Sequence, residues 1–441
     1  MILDSRYNYP PEFYTNSHYA LTAALDTAKA YERWRILDLG DFAPLEARYD
    51  ALPYLNKEIM REHFPLGLVP HYRDLDEGLL RGEIDFTFTS GATGDRVVNI
   101  WDQNWWDRSE AASWKLNAHL APLSYPQKEA MLASSLNVGV NCEEDLPVSA
   151  RTAGNKLYLN EKTSTIQWQP RHLARMAKEL IDFEPVLLTA NPSLLARLAF
   201  WAMDEGVALY SPLAILFTYE FSSLIHLKAI RKVFSSTLIS SYGTTETGFV
   251  LEECEKGLLH QNIDYCRIDF YPLKDRYGGP ELGRIAVTTF GNPWNSILKF
   301  DTGDLVRLHP SADCPCGRNQ GMIVQALEGR TTNASFTTAG DMVTTLALDK
   351  ALASIPGIRD YQMEQHSAAD YELKIMADTG NRNNPVTDRE LLGAAQETMR
   401  RLYGRDGQFH IDLVSAILPG SAGKFRRSQV HFNVDWEGLF V

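Results

Sequence analysis

The sequence predicts an α/β protein with a large N-terminal domain of mixed sheets and flanking helices, a β-rich subdomain within it, and a small mobile α+β domain at the C-terminal end. Three observations carry this. Between residues 172 and 234 stretches with helical apolar spacing alternate with short apolar runs, the pattern of a parallel sheet buried on both faces. From about Gly257 to Leu308 the texture changes to strands and turns, and after Arg330 a second alternation of strand and helix begins.

The elements follow in order. Leu173, Met176, Ala177 and Leu180 trace one helix face; Leu194, Leu195, Leu198 and Trp201 a second; Phe221, Leu224, Ile225, Ile230 and Phe234 a third. Val186–Leu188, Ala214–Phe217 and Leu238–Ser240 are the strand-like runs around them. Asp275 to Gly279 reads as a turn and Arg284 to Thr289 as a strand. A helix over Leu346 to Ser354 ends at Pro356-Gly357, Tyr371 to Ala377 alternates as a half-buried strand, Leu391 to Leu402 is helical, and Phe409, Ile411 and Leu413 mark another strand. These shifts predict domains over 1–329, with a β-rich part over about 257–325, and over 330–441, hinged rather than rigidly fused.

Composition narrows the function classes. Hydrophobic residues make up 44% and charged residues 22% of the 441, which excludes disorder, collagen and coiled coil as global descriptions. The 43 Lys and Arg against 56 Asp and Glu give a net charge of −13, which repels phosphate backbones and anionic membranes, so neither nucleic acid nor membrane is an expected partner. The longest apolar stretch, 206–219, is interrupted by Ser211 and Pro212 and is too short to span a bilayer. The N-terminus has neither a basic start nor an apolar core, and five cysteines spread from Cys142 to Cys316 suit a reducing compartment. A cytoplasmic location is the expectation.

Two segments have the residue types of an anion site. Thr89-Ser90-Gly91-Ala92-Thr93-Gly94 follows the strand-like Ile84 to Phe88; its glycines let backbone N–H groups approach phosphate oxygens and its hydroxyls donate further bonds. No Lys-Ser/Thr pair follows, so it is not a Walker loop, and it also reads as a Gly-rich turn. Ser240-Ser241-Tyr242-Gly243-Thr244-Thr245-Glu246-Thr247-Gly248 offers an aromatic face for a base, a glycine for close approach, hydroxyls for phosphate and a carboxylate for Mg²⁺. A strand-to-loop turn is its alternative.

With Phe300-Asp301-Thr302-Gly303-Asp304, Leu327-Glu328-Gly329-Arg330 and Pro419-Gly420-Ser421-Ala422-Gly423-Lys424-Phe425-Arg426-Arg427, these segments resemble the ordered motif set of the adenylate-forming superfamily of acyl-CoA synthetases, peptide-synthetase adenylation domains and luciferases. Length and the Glu253-Cys254, Leu259-His260 and Cys314-Pro315-Cys316-Gly317-Arg318 segments are most similar to its phenylacetate-CoA ligase branch. The resemblance implies that Thr89 to Gly94 embraces the ATP phosphates, that Ser241 and Thr244 belong to the nucleotide site with Tyr242 and Gly243 bordering adenine, and that Thr245 and Glu246 serve the α-phosphate and Mg²⁺. It implies that Asp304 and Arg330 hold the ribose and that Lys424 is the lysine of adenylation, carried by a C-terminal domain that rotates for thiol transfer. The implied reaction is activation of a carboxylic acid, aromatic or unsaturated, followed by transfer to coenzyme A. A carrier-protein pantetheine or an amine as acceptor, or a degraded nucleotide-binding sensor, are the other readings. Two departures stand out: Thr331 to Ser335 carries no charge at the expected hinge, and Tyr219 stands before Glu220 where relatives commonly have Gly or Ala. Without the resemblance, Lys424, Arg426 and Arg427 read as a solvated basic tail.

Cys254, His260, Cys314 and Cys316 make a set of three thiolates and an imidazole, enough to close a structural Zn²⁺ shell; core cysteines and a surface histidine are the alternative. Cys142 and Cys266 read as buried small residues. Trp101, Trp105, Trp106 and Trp114, near His119, read either as a packed helix face or as the wall of an acyl pocket.

Overall fold

A computed structural model describes residues 6–88, 97–123, 127–133, 144–378, 386–420 and 424–441. The chain forms two compact units, one of Met1–Pro122, Ser241–Leu327 and Glu437–Val441, the other of Leu123–Ser240 and Glu328–Trp436.

In the second unit, strands Lys156–Tyr158, Glu129–Leu132, Leu187–Ala190, Ala214–Phe217 and the first half of Thr237–Thr244 lie side by side, all parallel. Leu187–Ala190 and Ala214–Phe217 are buried at every position, as expected where helices cover both faces. The helix Pro170–Phe183 buries Leu173, Met176, Ala177 and Leu180. Pro192–Glu205 starts at Asn191, whose side chain accepts from the Leu194 N–H, and ends at Gly206 with φ +68. The third helix is Leu224–Val233. It begins later than its apolar spacing suggests, because Ser223 caps it through the Ile225 N–H and leaves Phe221 outside.

The 328–436 part of this unit holds a four-stranded sheet in the order Gln408–Leu413, Asp370–Ala377, Ile358–Ser367, Ser428–Val430. The central pair is antiparallel and both outer pairs are parallel. One face buries Tyr361, Met363, Tyr371, Leu373 and Ile375 together with Leu348 and Leu352 of the helix Thr345–Leu352 and with Leu391, Ala395, Met399 and Tyr403 of the helix Asp388–Tyr403. Buried polar bonds join this part to the helices of the same unit. The Asp349 carboxylate accepts from Ser223 Oγ at 2.6 Å, from the Leu224 N–H at 2.7 Å and from Tyr361 Oη at 3.0 Å. Arg427, only 3% exposed, pairs with Asp360 and donates to Ser193 Oγ at 2.9 Å. His226 Nδ1 lies 3.3 Å from the same guanidinium. Arg359 pairs with both Asp204 and Asp378.

In the first unit the second half of Thr237–Thr244 pairs antiparallel with Gly248–Glu253, and the sheet continues through Leu259–Gln261, Ile323–Arg330, Phe300–Leu308, Leu282–Thr289 and Cys266–Pro272. This is the β-rich texture read from the sequence. Asp275–Tyr277 is a single 3₁₀ turn, closed by Gly278 at φ +97. Among the described residues no helix is long and apolar enough to cross a membrane.

Candidate functional site

The Ser240 to Gly248 segment forms the end of the strand Thr237–Thr244, a tight turn, and the start of Gly248–Glu253. Gly243 is required there. A Cβ at that position would come 2.1 Å from the Gly248 carbonyl oxygen. Tyr242 Oη donates to Asp304 Oδ2 at 2.8 Å, so two motifs 62 residues apart meet. Asp304 is placed by the strand Phe300–Leu308, with its own N–H donating to Thr302 Oγ1 at 3.2 Å. Thr244 and Thr247 hydroxyls lie 3.0 Å apart. The Thr245 carbonyl accepts from Asn99 Nδ2 at 2.8 Å, and Asn99 in turn accepts from Asn295 at 2.6 Å.

Glu246 is buried, 3% exposed, and its Oε1 has no hydrogen-bond partner among the described residues, while Lys57 Nζ lies 3.5 Å away. Glu246 Oε1 is thus ion-paired to Lys57 but accepts no hydrogen bond from the described residues, and a buried carboxylate oxygen with that spare capacity fits a divalent cation. Lys57 carries no sequence signal; only the fold of the helix Lys57–His63 brings it here.

Ser241 Oγ donates to Glu252 Oε2 at 2.6 Å. Burial pushes the Glu252 carboxyl up to about 8 from 4.5, against the opposing Ser241 hydrogen bond. The folded protein then keeps a proton that the unfolded chain releases, so stability falls as pH rises through the window from 4.5 to about 8. Glu252→Gln is expected to remove that slope. Melting temperatures of the two proteins should diverge in the variant's favour on going from pH 5 to pH 8, and parallel curves would show that Glu252 does not titrate there.

Thr89, Ser90, Gly91, Ala92, Thr93 and Gly94 lie outside the described residues, as do Ser421, Ala422 and Gly423. Their flanks are described: Asp85–Phe88 and Val98–Trp101 pair as an antiparallel hairpin. Arg330 and Lys424 belong to the second unit. Before Arg330, Gly329 has φ +100, and a Cβ there would meet Thr345 Oγ1 at 2.6 Å. Lys424 is half-buried, and its carbonyl accepts from the Gly420 N–H at 2.9 Å. Next to it the Phe425 N–H donates to Glu220 Oε2 at 3.1 Å and the Phe425 ring packs in the apolar core of the unit. Glu220 is a partner that the motif reading missed. Tyr219 before it has φ +76, a left-handed conformation that favours glycine.

Cys254, His260, Cys314 and Cys316 present four ligand atoms within 4.8 Å of one another. Cys254 Sγ and Cys314 Sγ are 3.8 Å apart, and Cys316 Sγ is 3.4 Å from His260 Nε2. Tetrahedral zinc with Zn–S near 2.3 Å and Zn–N of about 2.0 to 2.1 Å sets S···S edges of about 3.8 Å and S···N edges of about 3.5 Å. The set fits zinc. The Lys256 and Arg318 N–H groups each donate to a cluster sulfur at 3.4 Å, which stabilises thiolate charge. Protein purified without chelator is expected to hold about one equivalent of zinc, and Cys314→Ser is expected to lower its melting temperature, because metal-binding free energy is folding free energy. Elemental analysis giving well under half an equivalent would remove zinc from the cluster. Cys266 is buried, and Cys142 lies outside the described residues.

Of the tryptophans, Trp105 is core: its Nε1 donates to the Phe290 carbonyl at 2.8 Å, and its ring lies so close to Gly248 that a Cβ there would be 2.8 Å away. The Trp101 and Trp106 rings pack tilted at 37° with centroids 4.2 Å apart, and Phe249 lies 5.0 Å from Trp106. Trp114 is half-buried and His119 exposed.

The fold is that of adenylate-forming ligases. Among solved structures the chain is similar to 2-hydroxyisobutyryl-CoA ligase in its postadenylation state with 2-HIB-AMP, at TM-score 0.70 and 15% identity over 98% of this chain and 93% of that one. It is also similar to an open conformation of the same ligase with 2-HIB-AMP and CoA, at TM-score 0.57 and 15% identity over 97% and 93%. A third is the anthranilate CoA ligase AuaEII with anthranoyl-AMP, at TM-score 0.52 and 12% identity over 78% and 65%. No family model and no curated protein matches the chain.

Proposed function

We propose that the protein is an AMP-forming acid–thiol ligase. A carboxylate oxygen of the substrate attacks the α-phosphorus of ATP, pyrophosphate leaves, and the thiol sulfur of coenzyme A then attacks the acyl carbon and releases AMP. The observation that carries the reading is the convergence of Tyr242 and Asp304 at 2.8 Å in the unit that also holds Glu246. The similarity in fold to a ligase described with an acyl-AMP and CoA supports it. The branch nearest this chain is proposed to be that of phenylacetate-CoA ligases, and the acid an aromatic or unsaturated one.

In this reading Asp304 accepts from the ribose hydroxyls at charge-assisted strength, with Tyr242 holding its carboxylate in place and Arg330 as a second ribose contact. The Thr89 to Gly94 loop and Ser241 to Thr245 bind the triphosphate and adenine. Glu246 would hold Mg²⁺, which when bound neutralises phosphate charge. The 330–441 segment carries Lys424 to the reacting oxygens. Acid-dependent ATP–pyrophosphate exchange across a panel of acids tests the reading, followed by coenzyme A and a carrier protein offered side by side. Nucleotide binding with no exchange for any acid would instead make the protein a sensor.

Asp304→Ala is expected to raise the ATP KM by roughly tenfold or more, the worth of a hydrogen bond to a charged group, with kcat less affected. Glu246→Gln is expected to act mainly on kcat, since charge that develops only in the transition state appears there. An unchanged ATP dependence in Asp304→Ala would take that residue out of the site.

A further inference from the structure

The face of the four-stranded C-terminal sheet opposite its apolar core carries Glu364 and His366 on Ile358–Ser367 and Glu372 and Lys374 on Asp370–Ala377. His431 follows the edge strand Ser428–Val430, and its N–H donates to the Gln365 carbonyl at 2.9 Å, a bond of the parallel Gln365–Val430 pair. This places the His431 ring on that of His366, with centroids 5.1 Å apart and planes at 16°. Each imidazole faces a carboxylate oxygen: His431 Nε2 lies 3.0 Å from Glu364 Oε2, and His366 Nε2 lies 3.1 Å from Glu372 Oε2. Lys374 Nζ occupies the other oxygens, 3.4 Å from Glu364 Oε1 and 3.1 Å from Glu372 Oε1. The lysine therefore holds the two carboxylates in position while leaving their second oxygens turned to the imidazoles.

We propose that Glu364, His366 and His431 form a surface site for a borderline divalent transition cation of the Zn²⁺ or Ni²⁺ kind. One ligand atom from each lies within 4.8 Å of the other two. Ligation at about 2.0 to 2.2 Å per bond needs separations of about 3.4 Å in a tetrahedral shell, so closure takes small side-chain movements. These are open to side chains that are 40% exposed for His366 and 36% for His431. Two imidazoles and a carboxylate select Zn²⁺, Ni²⁺ or Cu²⁺ over Mg²⁺ and Ca²⁺, which prefer all-oxygen shells. Two carboxylates less one ammonium leave a single negative charge for the cation to offset. Occupancy would pin the edge strand that follows Lys424 to its neighbour.

The test uses the full chain with any metal at the cysteine cluster left in place. Titration with Ni²⁺, followed by calorimetry and by melting temperature, is expected to show one additional equivalent bound at micromolar metal and a melting temperature that rises with it. His366→Ala and His431→Ala are each expected to weaken this binding by roughly tenfold or more, and the double variant to abolish it. Cobalt separates the two sites. Co²⁺ at the cysteine cluster gives thiolate charge-transfer absorption, whereas Co²⁺ at the proposed site gives ligand-field bands alone, and these should vanish in the double variant. Circular dichroism checks that the variants fold, and His431→Gln serves where alanine does not. No additional equivalent, or binding unchanged in the double variant, would overturn the proposal.

Discussion

Replacing Arg427 by methionine is expected to destabilise the protein by roughly 3 to 5 kcal/mol, the cost of removing one partner from a buried ion pair. Arg427 and Asp360 are 3% and 7% exposed, so the carboxylate left behind has little access to water. Ser193 Oγ and His226 Nδ1, at 2.9 and 3.3 Å from the lost guanidinium, cannot supply its charge at neutral pH. Burial first, and then the Arg427 charge, holds the His226 imidazole down at about 3 from 6.5. A base with a depressed folded pKa costs stability as pH falls from 6.5 toward 3, since the unfolded chain takes the proton first. Removing Arg427 lifts part of that depression, and a protonated His226, whose Nε2 is 3.4 Å from Asp360 Oδ1, then replaces part of the missing charge. The deficit of Arg427→Met against the parent is therefore expected to shrink between pH 7 and pH 5. Urea unfolding at both pH values measures it. A pH-independent deficit under 1 kcal/mol would show that the pair is not buried in solution.

Arg427 also shows where the sequence stops being legible. Beside Arg426 and Lys424 it reads as part of a solvated tail, because an unpaired charge belongs in water. Its partners come from residues 193, 226 and 360, which no local pattern connects. Elements with clean periodicity were legible: Leu173, Met176, Ala177 and Leu180 share one buried face, and Ala214–Phe217 is a fully buried strand. The strand Ile358–Ser367 was not, although Tyr361 and Met363 point to the core, because the next core position is the polar Gln365. That side chain is fully buried and satisfied by the Phe336 N–H and carbonyl at 2.9 and 3.0 Å, a pairing that only the folded chain supplies. At the site the same division holds. The zinc-type set announced itself by residue type, whereas Lys57 and Glu220 became visible only beside Glu246 and Phe425.

Lys424→Ala is expected to slow adenylation roughly 100-fold or more, about 3 kcal/mol, if its ammonium donates to charge developing between carboxylate and α-phosphate. The backbone at Lys424 and after it is held by hydrogen bonds and an ion pair. The Lys424 carbonyl accepts from the Gly420 N–H, Glu220 takes the Phe425 N–H, and Arg427 is tied to Asp360, Ser193 and His226. These bonds fix where the side chain begins, while its own flexible four-carbon stem must still be ordered when the ammonium is placed. The same anchors bear on the second half-reaction. A rotation of the 330–441 segment for thiol transfer would have to break the Asp349, Arg359 and Arg427 ties to Ser223, Asp204 and Ser193, so whatever drives it must offset the loss of those bonds. If it occurs, thiol transfer from a supplied acyl-adenylate survives in Lys424→Ala, since the rotated arrangement does not use that ammonium. Single-turnover timing of each half-reaction decides the matter. Equal losses in both would mean that Lys424 acts in one fixed arrangement throughout, and undiminished adenylation would take it out of catalysis.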